Sequence, residues 1–338
     1  MTKRSDVARA AGVAESTVSY ALSGSRPISE ETKKRIHKAM KDLDYKPNAV
    51  AAALRSGNSK MIGLVFGVND HGINQSDISY VLGAADTARE LGYHLVLWPI
   101  RDREIQSVVT HAQSGLLDGV ILMEIKLDDS RVKLFNKLGI PVALIGRTAK
   151  PERDIYADRD FEGAIRIAFE ELVQLGHKSI DFLSTAPKQV AEGFGAVVRA
   201  EEASLALAKE FGVKLNILHA DVSLQAGIDL ATKYFQKAKR ATAIISTNTD
   251  AVTGFARGAL KAGVRIPEDF SIICIATPAA EAITQEPSLT TVSPPASEIA
   301  GAATRALIKS LARLEFPDPE KLWSGTLIRR ESTGPAKK

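Results

Sequence analysis

From Met61 onwards short apolar runs alternate with helix-period segments, and the alternation occurs twice in succession. Met61–Phe66, Tyr93–Trp98, Gly119–Met123 and Pro141–Ile145 are continuous enough to be strands buried on both faces. Between the first two, Ile78, Val81, Leu82, Ala85, Ala88 and Leu91 recur at three- and four-residue steps, and Gly92 follows as a stop. A second series begins after Asp158. Its first helix carries Ile165, Ala168, Phe169, Leu172 and Leu175 and ends at Gly176. Strands follow at Ser179–Ser184, Lys214–His219, Ala241–Ser246 and Phe270–Ala276. Strand-helix alternation builds parallel sheets covered by crossover helices, so two series predict an α/β body of two doubly wound subdomains. Their sheets are expected to face one another across a cleft at the carboxyl ends of the strands, where ligands bind in such folds.

With 338 residues the chain exceeds one ordinary core. No apolar run approaches the roughly twenty residues that cross a bilayer, and Met1–Asp6 has no apolar stretch behind its basic pair, as a secretory signal would. A cytoplasmic location without membrane contact is expected. The one cysteine, Cys274, lies in an apolar strand and reads as a buried structural thiol. The histidines at 37, 71, 94, 111, 177 and 219 lack metal-ligand spacing, so no metal or other cofactor is expected.

The first sixty residues differ in charge as well as pattern. They hold 12 Lys and Arg against 6 Asp and Glu, whereas the rest holds 32 against 34. A basic arm on a slightly acidic body suits a polyanionic partner, although charge alone fits a solvated surface equally well. Three short helices are expected there. The first has Val7, Ala8, Ala10 and Ala11 on its apolar side and closes at Gly12. The second turns Val18, Ala21 and Leu22 inward, leaving Glu15, Ser16, Ser19 and Tyr20 on or near the other face. The third starts from Ser29 as N-cap, with Glu30 and Glu31 in its first turn, and buries Ile36, Ala39, Met40 and Leu43. Two short helices joined by a Gly-containing turn, with a third behind them, form an all-α helix-turn-helix unit.

Asp6-Val7-Ala8, Ala11-Gly12-Val13, Thr17-Val18-Ser19, Leu22-Ser23-Gly24, Glu31-Thr32 and Tyr45-Lys46-Pro47-Asn48 carry a resemblance to the LacI/GalR (lactose-repressor) family of transcriptional regulators. The resemblance covers essentially the whole chain and implies a regulator, a repressor of a catabolic operon by expectation. It implies a homodimer on a palindromic double-stranded DNA operator, and control by a small-molecule effector. Residues 15–22 would be the recognition helix, with Glu15, Ser16 and Tyr20 at base edges. Glu15 would accept from cytosine N4, and Tyr20 offers a ring and a hydroxyl. Lys3, Thr17, Ser19, Asn48 and Arg55 would meet the backbone or groove. Ala14 stands where the family usually has a capping Ser, which removes about 1 kcal/mol of helix-start stability. On its residues alone 48–57 reads as an interdomain linker or as a helix too short to stand by itself. The resemblance makes it a hinge helix, with Leu54 as an apolar wedge in the minor groove. Ala52 replaces an arginine common in the family.

The expected division is 1–46 for DNA binding, 47–59 for hinge and linker, and 60–338 for effector binding and dimerisation. Within the last, about 60–157 with 291–318 are expected to form one subdomain and about 158–290 with 319–338 the other. Leu289-Thr290-Thr291-Val292 and the stretch from Gly263 to Ser271 match the family's periplasmic-binding-protein-like body. A periplasmic-type transport component shares that body but has no use for residues 1–57. A dinucleotide enzyme wants a glycine-rich turn that Gly63, Gly67 and Gly72 do not supply. No catalytic residues are therefore assigned.

For the effector, Arg199 matches an arginine that the family points into the cleft, while Arg147, Thr249, Asp250 and Thr277 lie at or near strand ends. Asp250 serves equally as a helix cap. Ala276-Thr277-Pro278 stands where the family usually places an Asp, Val222 where many relatives have an aromatic platform, and Glu202-Ala203 where the family has Gly and an aromatic. Common monosaccharides are expected to bind weakly. The ligand is expected to be a sugar derivative or other metabolite, an anion anchored by Arg199 and Arg147 being one form, and loss of effector control is the other reading.

Overall fold

The computed structural model describes residues 2–23, 26–45, 58–67, 75–100, 105–312 and 321–337. The chain divides into two compact units, Met1–Ser59 and Lys60–Lys338. The expected hinge, with Asn48, Ala52, Leu54 and Arg55, lies outside the described residues, as do Gly24, Pro47, His71 and Gly72.

The first unit has α1 (Arg4–Ala11), α2 (Glu15–Ser23) and α3 (Glu30–Asp42). Gly12 ends α1 in the left-handed conformation at φ 66°, which glycine adopts without a side-chain penalty. Ser29 caps α3, its side chain accepting from the Thr32 amide at 3.2 Å. Val7, Ala8, Ala11, Val18, Ile36 and Ala39 form the buried core, with Ala21, Met40 and Leu43 packed against it. Two expected core positions fail: Ala10 is exposed and Leu22 is 38% exposed. Each borders its helix's apolar stripe, and this core is narrow enough to cover little beyond the central row.

The second unit contains two six-stranded sheets. The first, in order β11-β5-β4-β3-β1-β2, pairs β1 (Met61–Gly67), β2 (His94–Ile100), β3 (Gly119–Leu122), β4 (Val142–Ile145), β5 (Ile155–Arg159) and β11 (Leu322–Trp323), all parallel. The second, in order β12-β10-β9-β8-β6-β7, holds β6 (Ile180–Ser184), β7 (Ile217–His219), β8 (Ala243–Ser246), β9 (Ser271–Ile275), β10 (Thr290–Ser293) and β12 (Thr326–Ile328). Only the β10–β12 pair is antiparallel. Both sheets repeat the doubly wound order, whose switch points fall between β1 and β3 and between β6 and β8. Separate cores form on the two faces of each sheet, with Phe135 in one of the first sheet's and Phe169 and Phe255 in those of the second.

Helices connect the strands: α4 (Gln75–Glu90), α5 (Ile105–Gln113) and α6 (Ser130–Lys137) in the first subdomain. The second has α7 (Phe161–Gln174), α8 (Pro187–Ala191), α9 (Gly195–Glu210), α10 (Leu224–Phe235), α11 (Thr249–Lys261) and α12 (Ala279–Ile283), and α13 (Ala296–Leu311) returns to the first. Strand pairing moves the expected crossings. The chain leaves the first sheet after Arg159, re-enters after Ser293 because Thr290–Ser293 still pairs with β9, and leaves again after Trp323 because Leu322–Trp323 extends β5. The crossings are tied together. Asp160 caps α7 through the Gly163 amide at 3.0 Å and accepts from Ser324 Oγ at 2.9 Å. Gly325, at φ 82°, lies so close to Ser293 and Pro294 that a Cβ there would collide with their backbone. Among the described residues no helix is long and apolar enough to cross a membrane.

Candidate nucleic-acid interface and ligand cleft

In the helical unit Glu15 and Ser16 are exposed on the first turn of α2, while Thr17, Ser19 and Tyr20 are half-buried. Ala14 offers α2 only its carbonyl, which accepts from the Thr17 and Val18 amides at 2.9 and 3.2 Å. Lys3 is exposed just before α1, its amide bonded to Asp6 at 2.9 Å. Arg4, not singled out in the sequence, donates Nε and Nη2 to Glu15 Oε2 at 3.3 and 3.0 Å. The Arg26 guanidinium lies 5.0 Å from the centre of the Tyr20 ring.

Between the two sheets of the larger unit lies a cavity of about 260 Å³. It sits at the carboxyl ends of β3, β4, β5 and β6, and its polar lining includes Arg147, Asp158, Arg159 and Glu124 from one side, with Arg199 and Gln189 from the other. Arg147 Nη1 donates to Asp158 Oδ2 at 3.1 Å. Arg159 Nε donates to the Tyr80 hydroxyl at 2.6 Å. Burial pushes the Asp158 carboxyl up, against the pull of Arg147 and Arg199 beside it. Local desolvation also raises the carboxyl of Glu124, an exposed residue that accepts from the Gly67 amide at 2.9 Å. Glu124 holds a positive φ of 54°, a strained setting for a residue with a Cβ and one that concentrates at functional sites.

The two subdomains are joined directly across this cleft. Arg199 Nη2 donates to the carbonyls of Arg147 and Thr148 at 2.9 and 2.8 Å, and Nη1 lies 3.9 Å from Asp158. Leu127 N donates to Gly193 O at 2.8 Å and Gly195 N to Ile125 O at 2.9 Å. The ion pair of Lys126 with Glu192 at 3.3 Å and the seat of its ammonium 4.8 Å from the Phe194 ring centre reinforce the join. Three polar atoms nearby, Ser184 Oγ, Thr185 Oγ1 and Gln189 Oε1, are buried with no hydrogen-bond partner among the described residues, and Thr185 and Gln189 line the cavity.

Of the expected cleft residues, Arg147 and Arg199 meet at the cavity, whereas Val222, Thr249, Asp250 and Thr277 are not in its lining. Thr249 and Thr277 instead bond one another, Oγ1 to Oγ1, at 3.0 Å. Asp250 does not cap α11; Asn248 does, accepting from the Ala251 amide at 3.2 Å. Ala276 has φ 64° at the end of β9. Asp158, Arg159, Tyr80, Glu124 and Gln189 went unnoticed in the sequence. Their shared signal is position: Glu124 directly follows an apolar run, and Asp158-Arg159 end the short strand β5. The Cys274 thiol, fully buried in β9, is pushed up to about 12, which keeps it protonated and inert. Among the described residues no group of His, Cys, Asp and Glu could hold a metal.

Comparison with known proteins places both units. Residues 5–48 match the model for bacterial regulatory proteins of the lacI family, and residues 169–333 match a periplasmic binding protein-like domain. The HTH-type transcriptional regulator AglR of Rhizobium meliloti (strain 1021) is 29% identical over 96% of this chain and 92% of its own length. Catabolite control protein A of Staphylococcus xylosus is 28% identical over 97% and 98%. The fold matches that of the lac repressor dimer bound to operator and the anti-inducer ONPF, with TM-score 0.82 at 20% identity, covering 98% of this chain and 99% of that one. A CelR–cellobiose complex matches with TM-score 0.72 at 22% identity, covering 98% and 100%. A lacI-type helix-turn-helix unit at the N-terminus, a two-sheet binding-protein body behind it and full-length similarity to named regulators together establish that the chain belongs to the LacI family of DNA-binding transcriptional regulators.

Proposed function

We propose that this regulator acts as a homodimer on a palindromic operator and responds to a small-molecule effector held between its two sheets. The observation that carries the reading is the pairing, in one chain, of a helix exposing Glu15 and Ser16 with a body whose two halves meet at an arginine-lined cavity. Glu15, Ser16 and Tyr20 read base edges, and Lys3, Thr17, Ser19, Asn48 and Arg55 meet the backbone or groove, with Leu54 as the wedge. A two-fold dimer presents two such helices to half-sites about one turn of DNA apart. Exposed apolar side chains on the body, Ile78 and Leu82 of α4, Leu97 of β2 and Ile283 of α12 among them, fit burial against a second copy. The chain is read as a cytoplasmic regulator with no catalytic role of its own.

The cavity suits a molecule of about one ring. Arg147 and Arg199 are its anchors, and a carboxylate or phosphate would take the guanidinium donors that Arg199 now gives to two carbonyls. Thr185 Oγ1 and Gln189 Oε1 supply hydrogen-bonding groups that lack partners among the described residues. Positions 276 and 222, which lack the Asp and the ring that suit a hexose, lie outside the cavity's lining, so the reading of an unmodified hexose as a poor ligand rests on the family resemblance. Calorimetry on the whole chain against neutral hexoses, sugar acids and sugar phosphates tests this. Micromolar binding of a neutral hexose, undiminished in Arg199→Ala, refutes it.

A further inference from the structure

Arg4 opens α1, where the helix dipole disfavours a cation. Its side chain is 30% exposed and that of its partner Glu15 48% exposed, and ion pairs so exposed add little to stability. Neither helix propensity nor fold stability therefore accounts for an arginine here. What the pair does is shape the carboxylate. Nε and Nη2 of Arg4 both go to Oε2 of Glu15, while Oε1 takes no hydrogen bond among the described residues. A carboxylate entering the major groove would be repelled by phosphates on both sides. Neutralised by Arg4, with one oxygen occupied, it becomes a single acceptor of fixed direction, suited to the amino group of cytosine or adenine.

A second arginine outside α2 does the equivalent for the other large reader. Arg26 lies over the Tyr20 ring at 5.0 Å, which covers one face and restricts where the hydroxyl can point. We propose that Arg4 and Arg26 are positioning residues that set this protein's base preference by holding Glu15 and Tyr20 in one reading geometry. The proposal rests on α2 being the helix that reads the operator.

Selection from a randomised duplex library by the full-length protein tests it, with binding then measured across a salt series. Glu15→Gln and Arg4→Ala are expected to relax preference at the same base pair of each half-site, by about fivefold or more. Arg26→Ala is expected to do so at the pair altered by Tyr20→Ala. Arg4→Met, which keeps an aliphatic stem and removes the charge, guards against loss of fold and is expected to act as Arg4→Ala does. If Glu15→Gln changes preference while both Arg4 variants only weaken all sequences uniformly and lower the salt slope, Arg4 is a phosphate contact and the proposal fails. If Glu15→Gln and Tyr20→Ala change no base preference, the reading of α2 fails and the proposal falls with it.

Discussion

Removing the Arg199 side chain should loosen the join across the cleft by an amount the structure allows to be worked out. Its Nη2 donates to two carbonyls of the facing subdomain, at 2.9 and 2.8 Å, and a hydrogen bond to a charged group is worth about 1.5–3 kcal/mol. The full sum is not recovered, because in an opened cleft the carbonyls regain water and Arg199→Ala has no guanidinium to desolvate. A net loss of about 1–3 kcal/mol remains, which shifts the ratio of closed to open forms by about 5–150-fold. Hydrogen exchange of the ligand-free whole chain reads this directly. The amides of Leu127 and Gly195 have their acceptors, Gly193 O and Ile125 O, on the opposite subdomain. Both should exchange faster in Arg199→Ala by that factor, if opening and closing are fast relative to exchange. The Val120 amide bonds Pro141 O within the first subdomain and should not change. Equal rates for Leu127 and Gly195 in the two proteins would refute the reasoning, as would equal acceleration at Val120.

Gly325→Ala should cost about 2 kcal/mol or more, since the new Cβ meets the Ser293–Pro294 backbone at a positive φ; thermal unfolding checks this, and an unchanged Tm contradicts it. Glu124 is an exposed residue, but local desolvation at the cavity raises its carboxyl, so the stability carried by its protonated form is present at low pH and lost as pH rises through the raised value. Glu124→Gln, neutral throughout, should therefore unfold at a slightly higher temperature than wild type where wild-type Glu124 is ionised, with the gap closing as pH falls through the raised value. Leu54→Ser should keep fold and assembly but lose several-fold in operator affinity together with DNA bending; unchanged bending in circular-permutation gel shifts removes Leu54 from the mechanism.

How much of this could be read from the residues depended on how local each signal was. The strands β1, β3, β4, β6, β8 and β9 are apolar runs that stand out on their own. By contrast β5 offers only Ile155-Tyr156-Ala157 before two charged residues, and β11 and β12 have two and three residues, whose status as strands depends on the pairing partner. The crossings fall a few residues beyond the expected approximate positions for the same reason: whether Thr290–Ser293 belongs to one sheet or the other is decided by β9 alongside it. Leu22 and Ala10 fit an apolar stripe, but stripe width is set by the size of the core, which periodicity does not report. At the cleft, strand-end position found Arg147 and the family resemblance found Arg199. The same strand-end rule also selected Thr249, Asp250 and Thr277, which do not line this cavity, because it reports the end of the sheet and not whether a side chain borders a given cavity. Asp158, Glu124 and Gln189 come from two strand ends and a short helix, so only the folded chain brings them together.

The central claim is that α2 reads a specific two-fold operator in the DNA, and footprinting settles it most directly. Full-length protein should protect discrete genomic sites with inverted half-sites about ten base pairs apart, centre to centre. Tyr20→Ala should alter which bases those half-sites require, while Lys3→Ala should weaken binding evenly across sequences. Protection without sequence preference, or a Tyr20→Ala variant that keeps every wild-type preference and loses only affinity, would contradict the account.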